Sequence, residues 1–299
     1  MSIKASYIKP RTVDEAVALL GAPPSPSSPD YREARILSGG TDFYPSLGDR
    51  VVRGTVIDIS ALRDLRGISR SATHFRIGGL TTWSEVIRTP LPRCFDTLKL
   101  AAREVGSVQI QNRGTVAGNL CNASPAADGV PPLLALDAEV ELTSQAGVRT
   151  LSLADFIIGN RRTQRKTNEL LTAVLIPRSA DDAASTFLKL GARRYLVISI
   201  SMVAVVLKFS DDSRSRHSAR TIEQARIAVG SCSAVAQRLP RLESDLAGAT
   251  PGEGLRTFVK PEHLASLSPI DDVRATAEYR VEASLRLVQR ALNSCVENL

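Results

Sequence analysis

Two short glycine-bearing segments hold residue types from which an anion site can be built. Leu37-Ser38-Gly39-Gly40-Thr41-Asp42 sets adjacent glycines between two hydroxyls. Asn112-Arg113-Gly114-Thr115-Val116-Ala117-Gly118-Asn119 adds further glycines, a hydroxyl and two side-chain amides. Adjacent glycines after a strand permit positive φ, so successive backbone N–H groups can point into one concavity that suits a phosphate oxygen. Ser38 and Thr41 supply hydroxyl donors beside it. Read singly, each segment is more readily a tight surface turn. Asp128, a few residues on in Ser124-Pro125-Ala126-Ala127-Asp128, is either a ligand for cofactor hydroxyls or the cap of the helix that follows.

Other chemistries lack their residues. No G-x-G-x-x-G runs from a strand into a long helix, no G-x-x-x-x-G-K-[ST] occurs, and there is no G-x-S-x-G elbow. His74, His217 and His263 are isolated, as are Cys94, Cys121, Cys232 and Cys295, which argues against an intrinsic zinc or iron–sulfur site and against a disulfide framework. No metal ligand and no catalytic side chain is therefore assigned, and reactivity is expected to reside in a bound cofactor. Free thiols, an N-terminus without an apolar signal region and the lack of any ~20-residue apolar run lead to the expectation of a soluble, cytoplasmic protein. The formal charge of +7 is spread along the chain without a basic block, and aromatics make up only 4%. That composition disfavours a nucleic-acid stacking surface and leaves room for a phosphate-bearing ligand or an acidic partner.

The elements that would position the two segments follow from periodicity. Thr12–Leu20 reads as a helix with Thr12 as N-cap and Glu15 completing a capping box. A Pro/Ser loop over 22–29 precedes a buried strand, Ala34–Leu37, which runs into Gly39-Gly40; another strand lies within 51–59. Phe75–Gly79 is a strand, Thr82–Arg88 and Leu98–Val105 are helices, and the segment around Gly114–Asn119 shows little helical character. Ala138–Leu142 and Leu170–Ile176 are strands, and the polar stretch 178–184 is the best boundary. Beyond it 187–190, 198–209 and 220–229 read as strands, with a polar hairpin loop at 210–216. Helices are expected near 234–239 and 261–267 and over 275–292. Strands followed by helices suggest an α+β unit of an antiparallel sheet with packed helices.

Set in order, the motifs resemble the flavin subunits of molybdenum hydroxylases, the family of the carbon monoxide dehydrogenase medium subunit and the FAD-binding part of xanthine dehydrogenase. The resemblance rests on Leu37–Asp42 with Ile77–Thr82, on Gly114–Asp128, on Arg161–Pro177, and on Asp271-Asp272-Val273-Arg274-Ala275-Thr276-Ala277-Glu278-Tyr279-Arg280. It implies an α+β fold: an FAD-binding domain of the vanillyl-alcohol-oxidase/PCMH type over 1–178, with subdomains of about 1–59 and 60–178. The smaller C-terminal domain of these flavoproteins would follow over 185–299. It further implies that Leu37, Ser38, Gly39, Gly40, Thr41 and Asp42 hold the FAD pyrophosphate from one subdomain. Gly114, Thr115, Val116, Ala117, Gly118 and Asn119 would hold it from the other, with Thr115 approaching the flavin or phosphate. Asp128 would take cofactor hydroxyls, Leu171 would line the adenine or ring pocket, and Lys189 would lie at the flavin's pyrimidine edge. Tyr195 is either a stacking partner of the isoalloxazine or a core strand residue. The chain reads Val197-Ile198-Ser199 where many relatives have Asp-Ile-Ala, and it lacks the cysteine-bearing insertion of branches with an extra four-iron cluster, so Cys121 reads as a small buried residue.

The function implied is that of an electron-relay subunit. A molybdopterin-containing large subunit would oxidise the substrate, and a two-iron two-sulfur small subunit would pass electrons to FAD on this chain. NAD, a quinone or oxygen would be the terminal acceptor, within a dimer of heterotrimers. The competing readings are a self-contained flavoprotein oxidase of the same fold acting on a small substrate and a non-catalytic nucleotide-binding assembly subunit.

Overall fold

The computed structural model describes residues 6–22, 34–52, 54–210, 220–252 and 254–297 of the chain. The Pro/Ser run beyond Ala22 and the polar loop beyond Ser210 lie outside the described residues. The N-terminal layer comprises β1 (Ser6–Ile8), α1 (Val13–Gly21), β2 (Arg35–Leu37), α2 (Phe43–Leu47) and β3 (Thr55–Asp58), with β3 paired in parallel between β1 and β2. Thr12 caps α1 by accepting from the Glu15 amide, but the Glu15 carboxylate accepts from the Arg11 amide instead of closing the box on Thr12. Ala16, Val17 and Leu20 of α1 share a core cluster with Ile57, Ile59 and Leu62. The expectation of a buried strand at 34–37 is corrected: β2 is an edge strand, Arg35 is exposed, and only Leu37 is enclosed.

The second layer contains β4 (Ile68–Arg70), β5 (His74–Gly78), α3 (Trp83–Arg88), α4 (Asp96–Glu104), α5 (Val108–Gln111), α6 (Val116–Asn122) and α7 (Val130–Ala135). It continues through β6 (Glu139–Ser144), β7 (Gly147–Ser152), α8 (Leu153–Phe156), the short pair β8 (Ile157–Gly159) and β9 (Arg162–Thr163), and β10 (Leu170–Pro177). Its five-stranded antiparallel sheet has the order β4-β5-β10-β6-β7. Central β10 is buried along most of its length, which accounts for its nearly unbroken apolar sequence. Thr82 caps α3 through a complete capping box with Glu85. One reading is overturned here. The segment after Gly114 is not a turn: Thr115 caps α6, and Gly118 lies within that helix. The cap, together with burial of Val116, Ala117 and Leu120, outweighs the helix cost of roughly 1 kcal/mol for a glycine.

The C-terminal unit has β11 (Ala184–Leu190), β12 (Ser201–Phe209), β13 (Ile222–Gly230) and β14 (Gln237–Arg238), an antiparallel sheet in chain order, followed by α9 (Pro240–Leu246), α10 (Leu255–Phe258) and α11 (Ala277–Glu297). The helix expected near 234–239 is instead β14, and the helix starts at Pro240, whose missing N–H costs nothing in a first turn. The segment 261–267 forms only a 3₁₀ turn over Pro261–Leu264. β12 serves two cores with a period of two. Met202, Ala204 and Val206 join the cluster built by α4, α6 and α7, whereas Val203, Val205, Leu207 and Phe209 join the cluster under α9–α11. Among the described residues no helix is long and apolar enough to cross a membrane.

Charge ties the last two units together. Asp137, at φ +50°, pairs with Arg226 and Arg238 of the C-terminal sheet at 2.7 Å each, and Arg238 also binds Glu243 at 2.6 Å. Arg226 is almost fully buried. Asp137→Ala should therefore destabilise the fold by about 2 kcal/mol, less than the full cost of breaking a buried pair because Asp137 is partly solvated, as read from urea denaturation. An acid-sensitive tie sits before α11. The Arg274 amide first, then Arg280 and the Ala275 amide, donate to Asp272 and hold its carboxyl down at about 2 against partial desolvation. This contribution is complete above the ordinary carboxylate range and is lost as pH falls through about 2. Asp272→Asn should accordingly flatten the fall in Tm between about pH 4 and pH 2, and a variant curve parallel to the parent would contradict this.

Candidate functional site

The two glycine segments, 77 residues apart at Ser38 and Thr115, meet across the first two layers. Gly39 packs directly on the backbone of the second segment: a Cβ there would lie 2.0 Å from the Arg113 carbonyl oxygen. Beside this contact Ser38 Oγ and Thr115 Oγ1 are 3.0 Å apart, and Thr115 Oγ1 also accepts from the Gly118 amide at 3.0 Å. With Thr115 donating to Ser38, the Ser38 hydroxyl keeps its own proton for a ligand. A second tie comes from Arg161, at φ +54°, whose Nη1 donates to Asn122 Oδ1 at 3.0 Å and to Asp42 at 3.4 Å.

Between the segments lies a cleft of about 830 Å³, within the range of roughly 300–1,000 Å³ for small-molecule and cofactor sites. Ser38, Gly39, Gly40, Thr41 and Asp42 line one side and Gly114, Thr115, Ala117, Gly118 and Asn119 the other; Leu171 reaches it from β10. Among the described residues the amides of Gly39, Gly40, Thr41 and Ala117 make no hydrogen bond within the chain. A Cβ on Gly118 would meet only Thr115 Oγ1, at 2.8 Å. The wall there is thus a cradle that a side chain would fill. Arg35, Arg50 and Arg165 also line the cleft, and Arg165 is held by the carbonyls of Lys166, Thr167 and Glu169. Asp42, the one carboxylate among the described lining residues, is already paired with Arg161. Open amides, hydroxyls and a positive balance fit a pyrophosphate-bearing nucleotide.

Five of the sequence-predicted residues lie elsewhere. Leu37 and Val116 are buried behind the lining. Asp128 does not cap α7. It accepts from Lys189 Nζ at 2.7 Å and from Ser199 Oγ at 2.6 Å, while Lys189 also donates to the Glu104 carbonyl at 3.3 Å. Burial pushes the Asp128 carboxyl upward, against the pull of Lys189 and Ser199. The ion pair stands one layer behind the cleft: a Cβ on the adjacent Gly129 would be 2.9 Å from Asn119 Oδ1, a buried oxygen without a hydrogen-bond partner. Tyr195 is 60% exposed, with the Arg194 guanidinium over its ring, so it is no core strand residue. Cys121, expected to be buried, is half-buried in the cleft wall, and desolvation raises its thiol to about 11. Arg35, Arg50, Arg165, Trp83 and Asn122 were not singled out from sequence. Asn122 and Arg165 fall inside motif stretches, but nothing in their spacing marks them as lining.

Two α/β layers that close a cationic cleft with glycine segments, backed by an antiparallel sheet with packed helices, define a protein built to bind a nucleotide cofactor. Residues 2–179 match the family model of the FAD binding domain in molybdopterin dehydrogenase, and residues 186–295 match that of the CO dehydrogenase flavoprotein C-terminal domain. The chain belongs to this family of FAD-binding oxidoreductase flavoproteins. The nicotinate dehydrogenase FAD-subunit of Eubacterium barkeri is 36% identical over 212 residues, 69% of each chain. The carbon monoxide dehydrogenase medium chain of Hydrogenophaga pseudoflava is 28% identical over 290 residues, 96% of each. Among solved structures, quinoline 2-oxidoreductase from Pseudomonas putida 86 superposes with a TM-score of 0.85 at 26% identity, covering 100% of this chain and 99% of that one.

The two kinds of glycine contact separate experimentally. Gly118→Leu should fill the cradle and weaken FAD binding by about tenfold or more at a stability cost of about 1 kcal/mol or less, because its Cβ meets a single side-chain oxygen, Thr115 Oγ1. Gly39→Ala should cost about 2 kcal/mol of stability as well, because its methyl meets backbone. Flavin-to-protein ratios and thermal melts read both effects, and full flavin content in Gly118→Leu would refute the cradle.

Proposed function

We propose that this chain is the electron-relay subunit of a molybdenum hydroxylase complex, receiving electrons from an iron–sulfur partner and passing them to NAD, a quinone or oxygen. The observation that carries the reading is the make-up of the cleft. It offers donors and cations to a phosphate-bearing cofactor and, among the described residues, no histidine and no unpaired carboxylate for substrate acid–base work. Bound FAD supplies the redox chemistry, taking up electrons singly and releasing them in pairs. The residues of this chain bind and orient it. Ser38, Gly39, Gly40, Thr41 and Asp42 take the pyrophosphate from one side, and Gly114, Thr115, Ala117, Gly118 and Asn119 from the other; Leu37 and Val116 act as backing for these walls. Arg35, Arg50 and Arg165 add charge, and Leu171 lines the pocket. Asp128 fixes Lys189 so that its cation favours negative charge at the pyrimidine edge, and Tyr195 covers the ring from the loop after β11.

The division at 178–185 assigns cofactor binding to the first unit and its closure to the second. Relatives named as a medium chain, a medium subunit or an FAD-subunit support a chain that works with others. A molybdopterin-containing large subunit and a two-iron two-sulfur small subunit are the partners this reading requires, assembled as a dimer of heterotrimers in the cytoplasm. A self-contained oxidase finds less support, because Cys121, the one thiol among the described lining residues, is held protonated by burial.

Mass spectrometry of the native complex, pulled down through this chain, should return one FAD per chain together with a molybdenum subunit and an iron–sulfur subunit. The isolated flavin-loaded chain should not be bleached by the substrate that reduces the whole complex. A native protein that runs alone and is reduced directly by substrate would overturn the relay reading.

A further inference from the structure

The one tryptophan of the chain stands in the wall of the cofactor cleft. Trp83 is 1% exposed, and that remnant opens on the cleft. The rest of the ring is enclosed with Leu98, Val116 and Leu120 in the core of the second layer. Its indole N–H has no hydrogen-bond partner among the described residues. An indole N–H this deeply enclosed ordinarily finds one.

Neighbouring glycines show where that N–H points. A Cβ on Gly114 would lie 3.5 Å from Trp83 Cδ1 and 3.4 Å from Thr41 Oγ1. A Cβ on Gly129 would lie 2.4 Å from Trp83 Cη2, 3.0 Å from Cζ2 and 2.9 Å from Asn119 Oδ1. Nε1 stands on the same edge of the indole, between Cδ1 and Cζ2, so it faces the gap between Gly114 and Asn119. Both of those residues, and Thr41, line the cleft. The ring is held in place. The Trp83 amide donates to the Gly114 carbonyl at 3.2 Å, Thr82 caps α3, and Gly129 abuts the six-membered ring.

Asn119 Oδ1 borders the same gap and is itself a buried oxygen without a partner. A donor and an acceptor left open side by side cost stability unless a guest satisfies both. A phosphate oxygen only accepts, whereas a hydroxyl accepts and donates. The gap adjoins the glycine walls read above as the pyrophosphate site. FAD carries hydroxyls to either side of its pyrophosphate, along the ribityl chain and on the ribose. We propose that Trp83 and Asn119 form a hydroxyl-reading pair: Trp83 Nε1 donates to, and Asn119 Oδ1 accepts from, one ribityl or ribose hydroxyl of FAD. Trp83 thereby adds selectivity for the sugar chain to walls whose amides recognise only phosphate. The inference rests on the reading of this cleft as the FAD site and not on the relay through partner subunits.

The test uses the native protein, isolated through a tag on this chain and stripped of flavin. Equilibrium dialysis measures its affinity for FAD and for FAD analogues that each lack one ribityl or ribose hydroxyl. The parent should lose about tenfold in affinity with one analogue, which identifies the hydroxyl. Trp83→Phe keeps an aromatic ring and removes the N–H. It should bind FAD about tenfold more weakly than the parent and show no further loss with that analogue. Parent-like affinity of Trp83→Phe for FAD would overturn the pair. So would a loss that is the same for FAD and every analogue, because it would mark a role in packing alone. A parent protein that takes up no FAD would instead remove the reading of the cleft.

Discussion

The packing of Gly39 on the carbonyl of Arg113 governs the rest of the molecule. Two stretches from different layers must touch backbone to backbone, and only a residue without Cβ allows the approach. Once they touch, the Ser38–Thr115 hydroxyl contact and the Arg161 tie to Asn122 and Asp42 fall into reach. The cleft is what remains between the layers after that contact is made. Its amides stay open because the chain on either side bends away from regular hydrogen bonding. The N-terminal parallel sheet and the five-stranded sheet can be seen as two supports that hold this one seam at a fixed spacing.

Much of the architecture was legible in the sequence because burial imposes period on it. β10 and β12 are apolar almost without interruption, and each is covered on both faces. The cap at Thr12 was readable for a different reason: its hydroxyl acts on an amide only three residues away. What escaped detection depends on tertiary contact. α6 contains a glycine and two asparagines, and its helical state follows from burial of Val116, Ala117 and Leu120, which no local rule supplies. Short C-terminal elements were misread where one strand pairing with β13 decided between helix and strand.

The site was legible in its glycines and illegible in its charges. Motif order identified both walls, since their chemistry resides in neighbouring residues. Arg35, Arg50 and Arg165 come from an edge strand, a loop and a turn, and only the folded chain brings them to one cleft. Asp128 and Lys189 illustrate the converse. Asp128 read as a ligand for cofactor hydroxyls and Lys189 was placed by resemblance; in the fold they bond each other, and Asp128 also accepts from Ser199, as a carboxylate and an ammonium must be partnered when both leave water.

The double service of β12 has an evolutionary consequence. Its even-numbered side chains complete the core of the cofactor-binding half and its odd-numbered ones that of the C-terminal half. A gene encoding either half alone would yield a product with a bare apolar sheet or helix layer, prone to aggregate and open to proteolysis. A break in the chain between the halves would leave one face of β12 without its core.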